Sequence, residues 1–466
     1  MTWIIGGLAF IFVLGAAVVL HEFGHFAVAK LLKIRVETFS VGFGPRLWGF
    51  KWGTTDYRIS AIPLGGYVKL GGDESNAPIE GESAADIPLE EQFNLRPRWQ
   101  KISVAVAGPV MNIITALSIP AAGALMFGVP QTPLPVVQAV RKDGAAEAAG
   151  LKPGDKILSF NGVENPSWDR IRNDALLLPG SSVPVIVERD GQRVPLTIKP
   201  ITQTEGTETI GELDFTPDFG SVPVMVNSVV AGGPAQKAGL QPGDRLITIG
   251  GQPVSSSSQV VTYVREHQSD PIELTVDRNG QQLQISGRVG RLPNGAEGLF
   301  GFSPYDNLPR VKVGPIKALG FAVDTNLEIL RLTGAALGQL YHGQRSARNT
   351  LSGPIGIARA ASTSANELGW SGVFQLLGFL SLSLGVFNLL PIPVLDGGAI
   401  FLLLVEAVLG LVGIVLSMNV RERIQQVGFV VLLLLMGFVI TNDLIKEATL
   451  RFGWGAEKPP VVQPQK

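Results

Sequence analysis

His21, Glu22 and His25 have the residue types and the spacing to hold a metal ion and activate water. They form the sequence H-E-F-G-H inside the apolar N-terminal segment. Histidines four residues apart lie on one face of a helix and can bind zinc from one side, and the carboxylate between them can take a proton from water. Ionisable groups are costly inside lipid, which favours a functional interpretation over a buried polar cluster that only stabilises packing. The motif therefore predicts zinc-assisted hydrolysis.

A third protein ligand is predicted at Asp396, in the sequence N-L-L-P-I-P-V-L-D-G-G at residues 388–398. Pro391 and Pro393 cannot continue a regular helix, and broken backbone at membrane depth is tolerated only where protein or a polar cavity satisfies it. Two histidines and Asp396 would leave the fourth zinc position for water. The alternative is that Asp396 caps a helix.

Composition indicates a membrane core that carries soluble modules. The 466 residues have a mean hydropathy of +0.28 and only 17% charged side chains. A net charge of −1 gives no reason to expect nucleic-acid binding. The absence of cysteine excludes disulfides and a cysteine-ligated zinc site.

The elements that must position these residues are membrane helices and strands. We predict transmembrane helices at 1–34, 101–130, 370–416 and 424–446, a membrane-associated β element with a cytoplasmic loop at 35–100, and an amphipathic helical segment at 310–350. Whether residues 399–416 cross the membrane separately decides between four and five crossings. Gly108 and Pro109, within A-G-P-V-M-N, indicate either a local break or close helix packing.

The first helix is predicted to be retained rather than removed as a signal peptide, because no basic region precedes it. Lys30, Lys33 and Arg35 follow it, so its C-terminal end should face the cytoplasm. At about 1.5 Å per residue, His25 then lies roughly 7–8 Å inside the level of Lys30. The predicted site is close to the cytoplasmic side of the membrane.

The region between the second and third spans contains an internal repeat. A-G-L-K-P-G-D at 149–155 returns as A-G-L-Q-P-G-D at 238–244, and each copy precedes a strand-like run and a later V-x-R-[DN]-G hairpin. This pattern resembles PDZ domains, many of which bind extended peptides by strand addition. We predict two tandem PDZ-like α+β domains at 131–205 and 215–295.

The motifs together resemble the site-2 protease family of intramembrane zinc metalloproteases (peptidase M50 type), and within it the bacterial regulator of sigma-E protease group. The resemblance rests on H-E-F-G-H, N-x-x-P-x-P-x-L-D-G, the two repeats, S-G-P-I-G-I-A at 352–358 and L-L-L-M-G-F-V-I-T-N-D near the C-terminus, in this order along nearly the whole chain.

The resemblance implies a multi-pass bacterial inner-membrane protein with four spans and with both termini and the PDZ pair outside the cytoplasm. It implies cleavage of single-pass proteins, such as anti-sigma factors already trimmed by a site-1 protease and remnant signal peptides, in the envelope stress response. The implied metal ligands are His21, His25 and Asp396, and the implied catalytic residues are Glu22 and Asn388. Implied substrate-handling positions are Gly42, Gly44, Gly65, Gly66, Tyr67 and Ser383; close relatives often carry Asn at the last of these.

Two rival classes of function remain open at this stage. A membrane-anchored PDZ scaffold would use the repeats and bind no zinc, and it would be insensitive to Glu22→Gln. A metal transporter would place His21, His25 and Asp396 along an ion pathway and would carry zinc across a vesicle membrane.

Overall fold

The computed structural model describes residues 2–73, 87–131, 134–205, 208–220, 222–268, 270–290, 292, 300–343, 346–347, 351–411, 413 and 417–452. Residues 74–86 of the predicted cytoplasmic loop lie outside them. The chain divides into two compact units. The first comprises Met1–Met126, Gly314–Leu330 and Leu351–Lys466, and the second comprises Phe127–Val313 and Arg331–Thr350.

The helices, in chain order, are α1 (Thr2–Leu31), α2 (Arg98–Phe127), α3 (Ala145–Ala148), α4 (Trp168–Leu177), α5 (Pro234–Lys237), α6 (Ser257–Glu266), α7 (Pro315–Tyr341), α8 (Pro354–Glu367), α9 (Gly369–Asn388), α10 (Asp396–Leu411) and α11 (Met418–Phe452). Short 3₁₀ turns lie at Leu89–Glu91 and Phe93–Leu95. The predicted amphipathic segment contains α7.

The strands are β1 (Val36–Trp52), β2 (Thr55–Leu70), β3 (Val129–Pro130), β4 (Val137–Val140), β5 (Lys156–Phe160), β6 (Val163–Glu164), β7 (Val183–Arg189), β8 (Gln192–Ile198), β9 (Ile201–Glu205), β10 (Glu208–Glu212), β11 (Phe215–Pro217), β12 (Val224–Val229), β13 (Arg245–Ile249), β14 (Gln252–Pro253), β15 (Pro271–Arg278), β16 (Gln281–Arg288), β17 (Phe302–Asp306) and β18 (Arg310–Val311).

Four helices among the described residues are long and apolar enough to cross a membrane: Ile4–Leu31, Arg98–Phe127, Gly369–Asn388 and Arg423–Ala448. Four such helices are the number that the sequence predicted. The uncertain stretch at 399–416 lies mostly in α10, which has 16 residues. Because a crossing needs about 20 apolar residues, α10 is too short to be a fifth span of this kind. It is a separate helix, and residues 389–395 lie between it and α9.

The predicted β element forms a sheet in which two strands fold back on themselves. Residues 38–41 of β1 pair with 66–69 of β2 on one side and with 56–59 on the other, while 46–52 pair with 55–60. The order of segments is therefore 46–52, 55–60, 38–41 and 66–70. Gly42 and Gly44 have φ of +92° and +85°, which favours glycine where β1 bends. The two outer segments, 46–52 and 66–70, are the edges of this sheet.

A buried carboxylate joins two C-terminal elements of the first unit. Asp443 of α11 is 3% exposed and accepts hydrogen bonds from the backbone N–H groups of Gly353, Ile355 and Gly356 at the start of α8, over 3.0–3.1 Å. A carboxylate at a helix N-terminus satisfies donors that have no partner within the helix. The sequence motifs around residues 352–358 and 442–443 are therefore in direct contact.

The second unit contains two modules built from the repeated sequence. The first has a sheet of order β6-β5-β7-β8 with α4, and the second has a sheet of order β16-β15-β13-β12-β17 with α6. Each module has its own buried apolar cluster. At the ends of the unit, β3 pairs with β18.

The repeated aspartate and arginine of the two modules form equivalent ion pairs. Asp155 contacts Arg189 at 2.6 Å, and Asp244 contacts Arg278 at 2.7 Å; both carboxylates are 1% exposed. Each arginine also donates to a backbone carbonyl, that of Gly150 or of Gly239 in the respective copy. Because a buried carboxylate needs a partner, the Asp of A-G-L-x-P-G-D and the Arg of V-x-R-[DN]-G recur together.

Candidate metal centre

Helix α1 places the two histidines of the H-E-F-G-H motif on one side. The Nε2 atoms of His21 and His25 are 3.2 Å apart, one helical turn along α1. His21 is 6% exposed, and the His25 side chain is 13% exposed. The two rings thus present one nitrogen each to the same buried point.

Asp396 reaches this point from the other end of the chain. Its Oδ2 lies 3.1 Å from Nε2 of His21, and its Oδ1 lies 3.5 Å from Nε2 of His25. The ligand atoms of the three residues all lie within 4.8 Å of one another. Asp396 is also the first residue of α10, but both of its carboxylate oxygens face the histidines, which is the orientation of a ligand.

Two glycines allow the chain to turn tightly enough to present Asp396. Residues 389–395 fold back over the start of α10, so a Cβ on Gly397 would lie 2.3 Å from the carbonyl oxygen of Leu389. A Cβ on Gly398 would lie 2.1 Å from the carbonyl oxygen of Ile392. Glycine is therefore required at both positions, because a side chain there would collide with the backbone of residues 389–395.

The three ligand atoms fit a tetrahedral zinc ion. Zinc bonds to His nitrogen and carboxylate oxygen are about 2.0–2.2 Å long, so neighbouring ligand atoms around a tetrahedral ion are about 3.4 Å apart. The two Nε2 atoms are 3.2 Å apart, and the two oxygens of Asp396 lie 3.1 Å from one of them and 3.5 Å from the other, which is close to that value. Two imidazoles and one carboxylate are also a donor set that zinc takes in catalytic sites, with one position left open.

Helices α1 and α2 cross at glycines beside the histidines. A Cβ on Gly24 would lie 2.2 Å from the carbonyl oxygen of Ala107. A Cβ on Gly108 would lie 2.3 Å from Nε2 of His25 and 2.8 Å from Cε1 of His21. Because α2 continues through Pro109 without interruption, the glycine serves close helix packing rather than a break in the helix.

Comparison with known proteins agrees with this geometry. The family model for peptidase family M50 matches residues 9–435. The chain belongs to peptidase family M50. This membership confirms the predicted family resemblance and the predicted peptidase activity.

Curated relatives of this M50 peptidase match it along most of their length. The chain is 35% identical to "Regulator of sigma-E protease RseP" of Escherichia coli (strain K12) over 453 residues, which cover 93% of this chain and 97% of that protein. "Regulator of sigma E protease" of Salmonella typhimurium (strain LT2) has the same identity and coverage. "Putative zinc metalloprotease" of Vibrio cholerae is 33% identical over 473 residues, 94% of this chain and 98% of that protein.

The second nitrogen of each histidine has a partner on α2 of the M50 peptidase. Nδ1 of His25 is 2.8 Å from the carbonyl oxygen of Val104, so it carries the proton and leaves Nε2 free to bind a metal. Nδ1 of His21 is 3.2 Å from Nδ2 of Asn112. Asn112 is fully buried, and its Oδ1 has no hydrogen-bond partner among the described residues.

Rotating the Asn112 amide by 180° satisfies both residues. Its Oδ1 then accepts the Nδ1 proton of His21, and Nε2 of His21 is left free for the metal. The sequence interpretation did not single out Asn112. The signal was present, because a polar side chain in the middle of an apolar span usually has a specific partner.

The remaining predicted site residues are divided between the centre and its surroundings. Asn388 ends α9, and its Nδ2 lies 3.4 Å from Nε2 of His21. Ser383 is half-buried in α9, and no contact joins it to the centre among the described residues. Of the two predicted residues on α9, the structure thus places Asn388, an implied catalytic residue, at the metal ligands, and it does not place Ser383 there.

The edge segment 66–70 of the β element lies beside Glu22. A Cβ on Gly66 would be 3.7 Å from Cγ of Glu22, and the backbone N–H of Val68 donates to the Glu22 carboxylate. Gly65 is held against the Phe43 ring, which also stacks on Tyr67 at 6.2 Å. Gly42 and Gly44 lie instead at the bend of β1.

Proposed function

We propose that this M50 peptidase is a zinc-dependent intramembrane endopeptidase that cuts transmembrane segments of single-pass proteins. The observation that carries the proposal is the convergence of His21, His25 and Asp396, with Glu22 beside the two histidines on a helix long and apolar enough to cross a membrane. Zinc is the cofactor, as the histidine motif predicted. We assign the metal ligands to His21, His25 and Asp396.

The chemistry assigned to the chain's own residues follows from their positions. Bound zinc would make a water molecule more acidic and polarise the scissile carbonyl. Glu22 accepts a proton from the attacking water and later donates one to the leaving amine. The amide of Asn388, next to His21, donates a hydrogen bond to the substrate carbonyl oxygen as negative charge develops there.

A transmembrane substrate must unwind before attack, because a helix hides its peptide bonds in its own hydrogen bonds. We infer that the unwound segment pairs with residues 66–70. That segment is an edge of the sheet, and it lies next to Glu22. Residues 38–41 have partners on both sides, so they cannot accept a further strand.

Pairing with an edge strand predicts a period of two in the substrate. Single prolines placed successively along the unwound segment should slow cleavage strongly at alternate positions, because only every second N–H points to the edge. Cleavage rates of such a series in membranes measure this directly. A uniform decline that follows helix unwinding, without alternation, would count against strand pairing.

The substrates proposed are anti-sigma factors trimmed first by a site-1 protease, and remnant signal peptides. The proposed setting is the bacterial inner membrane and the envelope stress response, with the repeats in the periplasm and the site near the cytoplasmic side. Support comes from the relatives named regulators of sigma-E protease and from Lys30, Lys33 and Arg35 at the end of the first span.

We propose that the two repeats are PDZ-like domains that bar bulky extracytoplasmic domains from the site. In the first module, the Trp168 ring at the start of α4 packs 5.9 Å from Phe215 of β11, which fills the space between that helix and strand. At the start of α6 in the second module, the hydroxyl of Ser257 donates a hydrogen bond to Asp306 of β17, and this contact takes the place of the aromatic pair. A filled groove between helix and strand cannot take a peptide by strand addition. For the first module, this supports a role in excluding bulky substrate domains over a role in binding a substrate peptide.

Removal of the repeats should permit cleavage of uncut, full-length substrate. The pairing of β3 with β18 places Gln131 N 2.8 Å from the carbonyl oxygen of Pro309, so residues 132–308 can be replaced by a short linker. A deletion ending at 290 would leave β17 without its partner β12. The measurement compares cleavage of trimmed and full-length substrate in membranes. Loss of all cleavage, with zinc still bound, would instead favour a function in which the repeats bind the substrate.

Zinc removal and loss of Asp396 test the proposed site. Wild type should hold about one zinc and cut a trimmed single-pass substrate in membranes. A chelator should abolish cleavage and added zinc should restore it, whereas Asp396→Ala should hold zinc far more weakly and stay inactive. Asp324→Ala, which removes an exposed carboxylate from α7, is the matched control.

The outcomes separate the protease from its rivals. Zinc binding by Asp396→Ala with wild-type affinity would remove Asp396 from the ligand set. A wild-type protein without zinc would favour the scaffold. Zinc flux into vesicles, lost in Asp396→Ala and without cleavage of any substrate, would favour the transporter.

A further inference from the structure

A buried ion pair connects α10 to the start of α11. Glu406 of α10 is 7% exposed, and its Oε1 lies 2.6 Å from Nε of Arg421, whose side chain is 33% exposed. A carboxylate on an apolar helix is costly unless it is paired. The assigned chemistry at the metal centre does not use either residue.

The same face of α11 also contacts the segment that presents Asp396. Gly428 follows Arg421 by seven residues, nearly two helical turns, so both lie on one side of α11 about 10 Å apart. A Cβ on Gly428 would lie 2.2 Å from Cβ of Pro393 and 3.0 Å from its carbonyl oxygen. Pro393 precedes Asp396 by three residues.

Residues 389–395 are therefore held from two sides. Gly397 and Gly398 hold them against the start of α10, and Gly428 holds them against α11. The Glu406–Arg421 pair fixes α11 to α10 near the other end of α10. If the pair is broken, α11 is free to withdraw from Pro393, and the position of the Asp396 carboxylate is no longer fixed.

We propose that Arg421 is a positioning residue for Asp396, acting through Glu406 and through the contact of Gly428 with Pro393. This inference rests on the proposed function, in which Asp396 is a zinc ligand. Arg421 touches neither substrate nor metal. It determines how firmly residues 389–395 hold Asp396, the third zinc ligand, in place.

The test measures zinc affinity, by competition with a fluorescent chelator, and cleavage of a trimmed single-pass substrate, both with the full-length protein in detergent or membranes. Arg421→Gln removes the cation that contacts the buried Glu406 carboxylate, and we expect zinc affinity and cleavage rate to fall on the order of tenfold. Glu406→Gln/Arg421→Gln removes both charges and should recover most of the loss. Arg423→Gln, an exposed arginine two residues further along α11, is the matched control.

A second variant probes the contact without touching the ion pair. Gly428→Ala should push Pro393 away and weaken zinc binding to a similar extent, whereas Gly437→Ala should not, because nothing lies within 4 Å of a Cβ there. The inference is overturned if Arg421→Gln cuts slowly but binds zinc as tightly as wild type. It is also overturned if the double variant is no better than Arg421→Gln, or if Gly428→Ala behaves like Gly437→Ala. Failure of the proposed function would appear in wild type, as absence of zinc or cleavage.

Discussion

Glu22→Gln is expected to keep its zinc and lose cleavage. The substitution preserves the shape of the side chain next to Val68 and removes the group that accepts the proton of water. Because a positioned base contributes about 10²–10⁴-fold, cleavage of a trimmed single-pass substrate should fall by on the order of a thousandfold. Zinc quantified in both purified proteins should remain at about one per chain, since His21, His25 and Asp396 are unchanged.

The control for this prediction is Glu90→Gln, which removes an exposed glutamate outside the centre. It should cut at the wild-type rate. If Glu22→Gln cuts as fast as Glu90→Gln, Glu22 is not the base. If both variants and wild type hold zinc and none of them cuts, the trimmed substrate is the wrong one. The role of Glu22 then has to be tested with another substrate.

Gly108→Ala is expected to weaken zinc binding strongly, although it substitutes none of the ligands. Its Cβ would lie 2.3 Å from Nε2 of His25 and 2.8 Å from Cε1 of His21, closer than side-chain atoms approach one another. Both histidine side chains must therefore shift, because α2 could move away from them only by breaking the close contact between Ala107 and Gly24. We expect zinc affinity to fall by about a hundredfold or more, because one changed outer contact alone costs 10–100-fold.

A matched variant on the same helix isolates this effect. A Cβ on Gly123 of α2 would meet nothing within 4 Å, so Gly123→Ala should bind zinc and cut like wild type. Zinc affinity and cleavage of the two alanine variants, measured side by side, check the prediction. Equal zinc binding by both would mean that α1 and α2 are further apart than the structure places them.

The ligands could be predicted from the sequence because each belongs to a local pattern. His21 and His25 are four residues apart on one helix, and Asp396 follows a proline-broken segment, so neither inference needed the three-dimensional arrangement of distant elements. The repeats and the β element after the first helix could likewise be predicted from local patterns. The family membership followed from the order of these patterns along the chain.

The partners of the ligands could not be predicted, because they depend on which helices cross and where. Asn112 lies on a different helix from His21, and only the crossing at Gly24 and Gly108 brings them together. The register of the β element could not be predicted from the sequence either. Alternating residues identify a strand, but the bend at Gly42 and Gly44 decides that residues 38–41 are interior and 66–70 form an edge.

The pairing of β3 with β18 has a consequence for how such proteases can be altered. Because the chain leaves α2 and returns to α7 through two paired strands, the region that carries the repeats begins and ends at points that lie side by side. Unrelated domains whose termini lie close together can be grafted there without lengthening the connection between the helices. If the repeats are the barrier that we propose, exchanging them would change which proteins are admitted for cutting.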